Sequence, residues 1–224
     1  MLRAMDRAGV DRSMLLPFPV VEDARSQHDE IGRAVRDHPD RFAGAACLYP
    51  FVDEAAYRDE VRRCREQHGL VALKVQPQYQ GLNPLNPRHR FPFAIAQELG
   101  MALIWHTGAG VPFALPSLLM PVAREYPGLR IIAAHSGGGG MLVGEAIVAA
   151  LFCPNIYLEL STLMPNHVME ILSHLPATRL MAGSDLLENV EVEMAKIERL
   201  AIGADQQREI LGGTALRVFE DARA

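Results

Sequence analysis

The sequence predicts an α/β fold, a (β/α)8 barrel formed as one domain over residues 1–224. Three observations carry this prediction. Short apolar runs alternate with longer amphipathic stretches, in about seven β-then-α units spaced roughly 25–30 residues apart. The apolar runs are rich in Val, Ile, Leu and Ala without strict alternation, as parallel strands covered on both faces are. No nucleotide-binding glycine pattern follows the first strand, which weighs against a doubly wound open sheet.

The elements follow in order. Leu2, Met5 and Ala8–Gly9 read as the final turns of a helix, and Val10 leads into a strand at 13–16. A helix at 23–37 is stopped by His38-Pro39-Asp40, before a strand at 43–48. The helix at 54–67 ends at His68-Gly69, a glycine stop, and the strand 71–75 follows. A long Pro/Asn-rich loop, 76–92, precedes a helix at 91–99 and a strand at 102–105. Tyr126-Pro127-Gly128 closes the helix 115–126 before the strand 130–134. Cys153-Pro154-Asn155 closes the helix 141–151 before the strand 156–160. A helix at 166–175, a strand at 180–183 and helices at 190–200 and 205–219 complete the chain, the last broken near Gly212-Gly213. A closed barrel needs eight strands. The chain offers seven and opens inside a helix, so the domain is expected to be incomplete at its N-terminus, with the first strand missing. Such a barrel has two unpaired edges, which invite association.

Composition excludes several function classes. A chain of 224 residues with 49% hydrophobic content is enough for one full core. A net charge of −5 argues against nucleic acid or an anionic membrane as partner. No apolar run approaches the roughly 18 residues of a membrane span, and the charged start Met1-Leu-Arg-Ala-Met-Asp-Arg7 is unlike a signal peptide. Cys47, Cys64 and Cys153 show no paired spacing, which reads as reduced packing thiols in a cytoplasmic protein. The stretch 141–151 is apolar nearly all round apart from Glu145, which suggests a contact in a homodimer.

Chemistry concentrates where strands run out into loops, the end of α/β sheets and barrels that carries function. His106 closes Met101-Ala-Leu-Ile-Trp-His106, His135 closes Arg130-Ile-Ile-Ala-Ala-His135, and Asp185 closes Arg179-Leu-Met-Ala-Gly-Ser-Asp185. An imidazole there can bind a metal; its alternative is a core histidine bonded to a carbonyl. His135 precedes Ser136 and Gly137–Gly140, a loop that allows close approach of backbone to a ligand. Asp185 can ligate metal or act as a base, or else cap the next helix. Lys74 is a cation within an apolar strand, and burying it needs a partner or a substrate anion. Glu159 is a similar case. Ser161 and Thr162 would line the same mouth, with Trp105 beside His106. His89, in Arg88-His89-Arg90, sits on the long loop over it, where a substrate contact competes with simple solvation. His28, His38, His68, His167 and His174 lie in helices or at their ends and read as surface residues. No Gly-x-Ser-x-Gly elbow supports nucleophilic serine chemistry.

Taken in order, Gly69-Leu-Val-Ala-Leu-Lys74, Ile104-Trp-His-Thr-Gly108, Ala134-His-Ser-Gly-Gly138, Ala182-Gly-Ser-Asp185 and Ile210-Leu-Gly-Gly-Thr-Ala-Leu-Arg-Val-Phe219 resemble the amidohydrolase-related group of metal-dependent hydrolases. That group includes decarboxylases similar to aminocarboxymuconate-semialdehyde decarboxylase. The resemblance implies a distorted TIM-type barrel and one divalent metal, with zinc expected and manganese, iron or cobalt accepted by the same donors. It implies that His106 and Asp185 are metal ligands and that His135 is the general acid/base or the group that polarises the metal-bound water, with Asp185 counted beside it as catalytic. Lys74, Trp105, His89 and Ser161 are the expected substrate-binding residues. The family's first strand ends in His-x-His, and that motif occurs nowhere in this chain. The expected function is hydrolysis of a small carboxylated amide, ester or lactone by a metal-activated water. Non-oxidative decarboxylation on the same scaffold is the alternative, and a metal-free barrel that binds a ligand or partner is the third reading.

Overall fold

The computed structural model describes residues 1–51, 53–110 and 112–220. Helix α1 (Leu2–Arg7) leads into strand β1 (Ser13–Leu15), then α2 (Ala24–Asp37), β2 (Phe42–Ala46), α3 (Glu54–His68) and β3 (Ala72–Val75). A short α4 (Pro77–Gln80) and α5 (Phe91–Glu98) precede β4 (Ala102–His106), followed by α6 (Leu119–Glu125) and β5 (Ile131–Ala134). Next come α7 (Val143–Phe152), β6 (Ile156–Glu159), α8 (Pro165–Leu172), β7 (Leu180–Met181), α9 (Val190–Glu198), α10 (Ala204–Arg208) and α11 (Thr214–Glu220).

The seven strands lie side by side in chain order, every neighbouring pair parallel. This is the (β/α) barrel topology expected. Among the described residues β1 and β7 pair with one neighbour each, so the curled sheet keeps two edges. Side chains alternate across each strand. Leu73, Val75, Leu103, Trp105, Ile131 and Ala133 point outward and pack under the helices. Ala72, Ala102, Ile104, Ile132, Ala134 and Met181 point inward and meet Val218 of α11.

Local differences from the sequence reading have physical causes. Pro116 opens a 3-10 turn, Pro116–Leu118, so α6 starts only at Leu119. The glycines after His135 delay α7 to Val143. The final helix is interrupted by a π-helical turn, Glu209–Gly213, at the predicted glycine pair. All three cysteines are buried thiols, and burial pushes Cys47 up to about 12. His28 is buried completely, contrary to its surface reading. Its Nε2 accepts from the Cys47 N–H (3.0 Å) and its Nδ1 meets Glu60 (2.8 Å). No helix among the described residues is long and apolar enough to cross a membrane.

Candidate active site

Because inward positions recur every second residue, Lys74 of β3, His106 of β4 and Glu159 of β6 share the inner face with Ile104 and Ala134. His135 begins the turn after β5, and Asp185 lies four residues beyond β7. Lys74, His135, Glu159 and Asp185 all line one cavity of about 1060 Å³. That cavity reaches from α1 and β1 across to β7 and α11, and its wall is largely apolar, with Met14, Ile104, Ile132 and Met181 contributing.

The loops at this end are held in costly conformations. His135 (φ 65°), Ser136 (φ 44°), Thr162 (φ 67°) and Asp185 (φ 58°) are the non-glycine residues with positive φ among those described. Such backbone costs of order 1–3 kcal/mol per residue and clusters where function requires it. Side chains fasten these turns. Thr107 donates its hydroxyl to the Ala134 carbonyl (2.7 Å) and accepts from the Gly137 N–H (2.8 Å), tying the loop after β4 to the loop after β5. The Thr162 N–H donates to Glu193 (2.9 Å), which is itself paired with Lys196. A side chain at Gly108 would collide with the Gly137–Gly138 backbone at 2.7 Å, so the two loops touch only because residue 108 has none.

Around His135 the polar groups interlock. The ring is 4.9 Å from that of His106, centroid to centroid, and its Nε2 is 3.8 Å from Asp185 Oδ1, too long for a hydrogen bond. Its Nδ1 lies 2.7 Å from Ser161 Oγ. Glu159 accepts from the His135 N–H (2.8 Å), the Ser161 N–H (2.7 Å) and the Ser161 hydroxyl (2.9 Å). The Ser136 hydroxyl donates to the Glu159 carbonyl (2.7 Å). A side chain at Gly183 would lie 2.2 Å from Glu159 Oε1, so the glycine makes room for this carboxylate.

Burial holds the His106 imidazole down at about 4, against the opposing effect of the Ala109 carbonyl. The ring is therefore neutral at physiological pH, as a metal ligand must be. Its Nε2 is 2.8 Å from that carbonyl, which is the bond the core-histidine alternative anticipated. Burial also pushes the Lys74 ammonium below its ordinary range, with Cys47, Glu159 and Asp185 acting in the opposite direction. No hydrogen bond or ion pair reaches Lys74 among the described residues, although it is only 7% exposed.

Three expected substrate-binding residues do not line the cavity. Trp105 points outward, fully buried and stacked on Phe93 at 5.0 Å, because it neighbours His106 in sequence and so occupies the opposite face of β4. His89 accepts from the Asn83 N–H (2.9 Å), packs against Phe51 and takes no part in lining the cavity. Ser161 is fully buried, with its hydroxyl engaged by His135 and Glu159. Asp185 is not a helix cap; the following 3-10 turn begins after Leu186. The central place of Glu159 was visible in sequence only as a carboxylate in an apolar strand. Its partners emerge only from strand register.

His106, His135 and Asp185 do not bring three donor atoms as close together as His28, Glu60 and Cys64 do. That second group lies within 4.8 Å of one another. Arg25 and Arg63 already hold Glu60, and both ring nitrogens of His28 are engaged, which makes it a structural ion network.

An amidohydrolase family model matches residues 2–220. No curated protein matches significantly. Among solved structures, 2,6-dihydroxybenzoate decarboxylase from Rhizobium superposes with a TM-score of 0.82 at 20% identity, covering 98% of this chain and 87% of that one. The 5-carboxyvanillate decarboxylase from Sphingomonas paucimobilis gives 0.79 at 18% identity, covering 98% and 82%. A dihydroxybenzoic acid decarboxylase from Polaromonas, with bound manganese and 2-nitroresorcinol, gives 0.81 at 20% identity, covering 100% and 86%.

Proposed function

The chain belongs to the amidohydrolase family, and from that premise we propose that it is a metal-dependent, non-oxidative decarboxylase of a small aromatic carboxylate. The observation that carries the reading is Lys74, a buried amine with no hydrogen-bond or ion-pair partner among the described residues, facing the same cavity as His135 and Asp185. An anionic substrate would supply the missing partner and keep the amine protonated. The largely apolar wall suits an aromatic ring. The decarboxylases among the superposed structures support this reading over the hydrolase expected first.

His106 and Asp185 would hold a divalent cation. One neutral imidazole and one carboxylate suit manganese or zinc, although catalytic zinc ordinarily has three protein ligands. When bound, the cation would draw charge from a substrate oxygen. The chain's own residues do the rest. Lys74 pairs with the substrate anion. His135, once protonated at both ring nitrogens, gives its Nε2 proton to the ring carbon that bears the carboxylate. The carbon–carbon bond then breaks, its electron pair returns to the ring, and carbon dioxide leaves. Val148, Leu151 and Phe152 stay exposed on α7, which supports a homodimer.

Two measurements test this proposal. Protein supplied with manganese is expected to release carbon dioxide from 2,6-dihydroxybenzoate or 5-carboxyvanillate and to lose that activity on chelation. Lactone or ester cleavage without carbon dioxide release would instead return the hydrolase. No activity and no retained metal would leave the metal-free barrel. Lys74→Met removes a charge-assisted contact of about 1.5–3 kcal/mol, so KM is expected to rise roughly 10- to 100-fold. An unchanged KM would exclude Lys74 as the anion's partner.

A further inference from the structure

We infer that Glu159, acting through Ser161, is a positioning residue that locks His135 in its Nδ1–H tautomer and leaves the Nε2 lone pair facing the cavity. Glu159 Oε2 and Ser161 Oγ are 2.9 Å apart, and an ionised carboxylate can only accept. The serine must therefore donate to it, because otherwise two oxygens would face each other with no proton between them. Having given its single proton to Glu159, Ser161 Oγ can only accept from His135 Nδ1, 2.7 Å away, so Nδ1 carries the hydrogen. Nε2 is then the atom left to take up or hand on a proton. Its nearest charged neighbour is Asp185, at 3.8 Å, beyond hydrogen-bond range.

The same carboxylate fixes the ring's position. Glu159 accepts the His135 N–H and its carbonyl accepts the Ser136 hydroxyl, so it fastens both left-handed residues of the turn. It also accepts the Ser161 N–H, which fixes the serine that contacts the ring. The space it occupies exists because residue 183 is glycine. Glu159, only partly buried, thereby sets the backbone, the orientation and the tautomer of His135. The tautomer stands on hydrogen-bond geometry alone; its kinetic consequence rests on the decarboxylase reading above.

The test is long-range ¹H–¹⁵N spectroscopy of the imidazoles in the full-length, metal-stripped protein, at a pH where His135 is neutral. His135 signals are identified by their loss in His135→Asn. In the wild type, Nδ1 is expected to read as protonated and Nε2 as unprotonated. In Glu159→Gln the side-chain amide can donate to Ser161, which frees the serine proton for Nδ1, and the ring is expected to move toward the Nε2–H form. Ser161→Ala removes the acceptor of Nδ1–H and is expected to shift the ring the same way, and it carries the test if Glu159→Gln does not fold. Both folded variants are expected to lose about tenfold or more in kcat for carbon dioxide release, with KM little changed. An Nε2–H ring in the wild type, or an unmoved tautomer in the folded variants, overturns the assignment. A wild type that shows the Nδ1–H ring but releases no carbon dioxide supports the assignment and defeats only the proposed reaction.

Discussion

Replacing Trp105 by alanine is expected to lower stability by about 3–5 kcal/mol, and the thermal midpoint by roughly 6–20 °C for a chain of this size. The indole is fully buried between β4 and α5, stacked on Phe93 at 5.0 Å and 28°, and Phe93 in turn stacks on Tyr126. Removing it would empty one end of that stack, and a rigid barrel wall collapses little into such a space. Domains are stable by only about 5–15 kcal/mol, so the loss is a large share of the whole. Trp105→Phe sharpens the test. The Trp105 Nε1 is buried without a hydrogen-bond partner among the described residues. Phenylalanine keeps an aromatic ring on Phe93 and removes that orphan donor, so its cost is expected to stay below about 1.5 kcal/mol. Chemical denaturation of the two variants separates this role from substrate contact. If Trp105→Ala unfolded like the wild type yet bound substrate poorly, the outward placement would be wrong.

Trp105 also marks the boundary of what the sequence could reveal. Each of the seven strands falls on an apolar run, and Pro, Gly or Asn signals stop several of the helices that precede them, because parallel strands buried on both faces leave that trace. The positions of Lys74, His106, His135 and Asp185 were legible for the same reason: polar residues stand out at the ends of apolar runs. What failed was the assumption that neighbours in sequence are neighbours in space. The two-residue period of β4 puts Trp105 and His106 on opposite faces, a consequence of strand geometry alone. His89 was a different problem. The loop 76–92 folds into α4 and a 3-10 turn, Pro87–His89, whose contacts with Asn83 and Phe51 no periodicity foretells.

The bonds of Glu159 and Ser161 to His135 depend on β5 and β6 lying side by side in one register, with Ala133 opposite Leu158. A residue pair more than twenty positions apart leaves no local signature, so a serine at a strand end reads as a mouth residue, whereas its hydroxyl is bonded to His135 and Glu159. His28 failed in the opposite sense. Its helix is polar in composition, and the bond that buries it comes from the backbone of Cys47, an element away.

His135→Asn is expected to lower kcat for carbon dioxide release by about 10²–10⁴-fold, with KM and thermal midpoint nearly unchanged. Asparagine is chosen because the backbone at residue 135 is left-handed, φ 65°, a conformation that asparagine tolerates better than most residues. The Glu159 carboxylate can still accept the residue 135 N–H, so the turn keeps its anchor. The substitution removes the one group near Asp185 able to carry a proton on a ring nitrogen turned toward the cavity. Lys74 is left in place to bind the substrate anion, which is why KM should hold. The split between the two constants therefore decides the role. A fall in kcat alone marks His135 as the proton carrier. A rise in KM with kcat preserved would make it a binding contact and pass the proton to Asp185, the carboxylate nearest its Nε2. A loss of less than about tenfold would mean that solvent delivers the proton, and that the strained turn around His135 shapes the cavity without taking part in the chemistry.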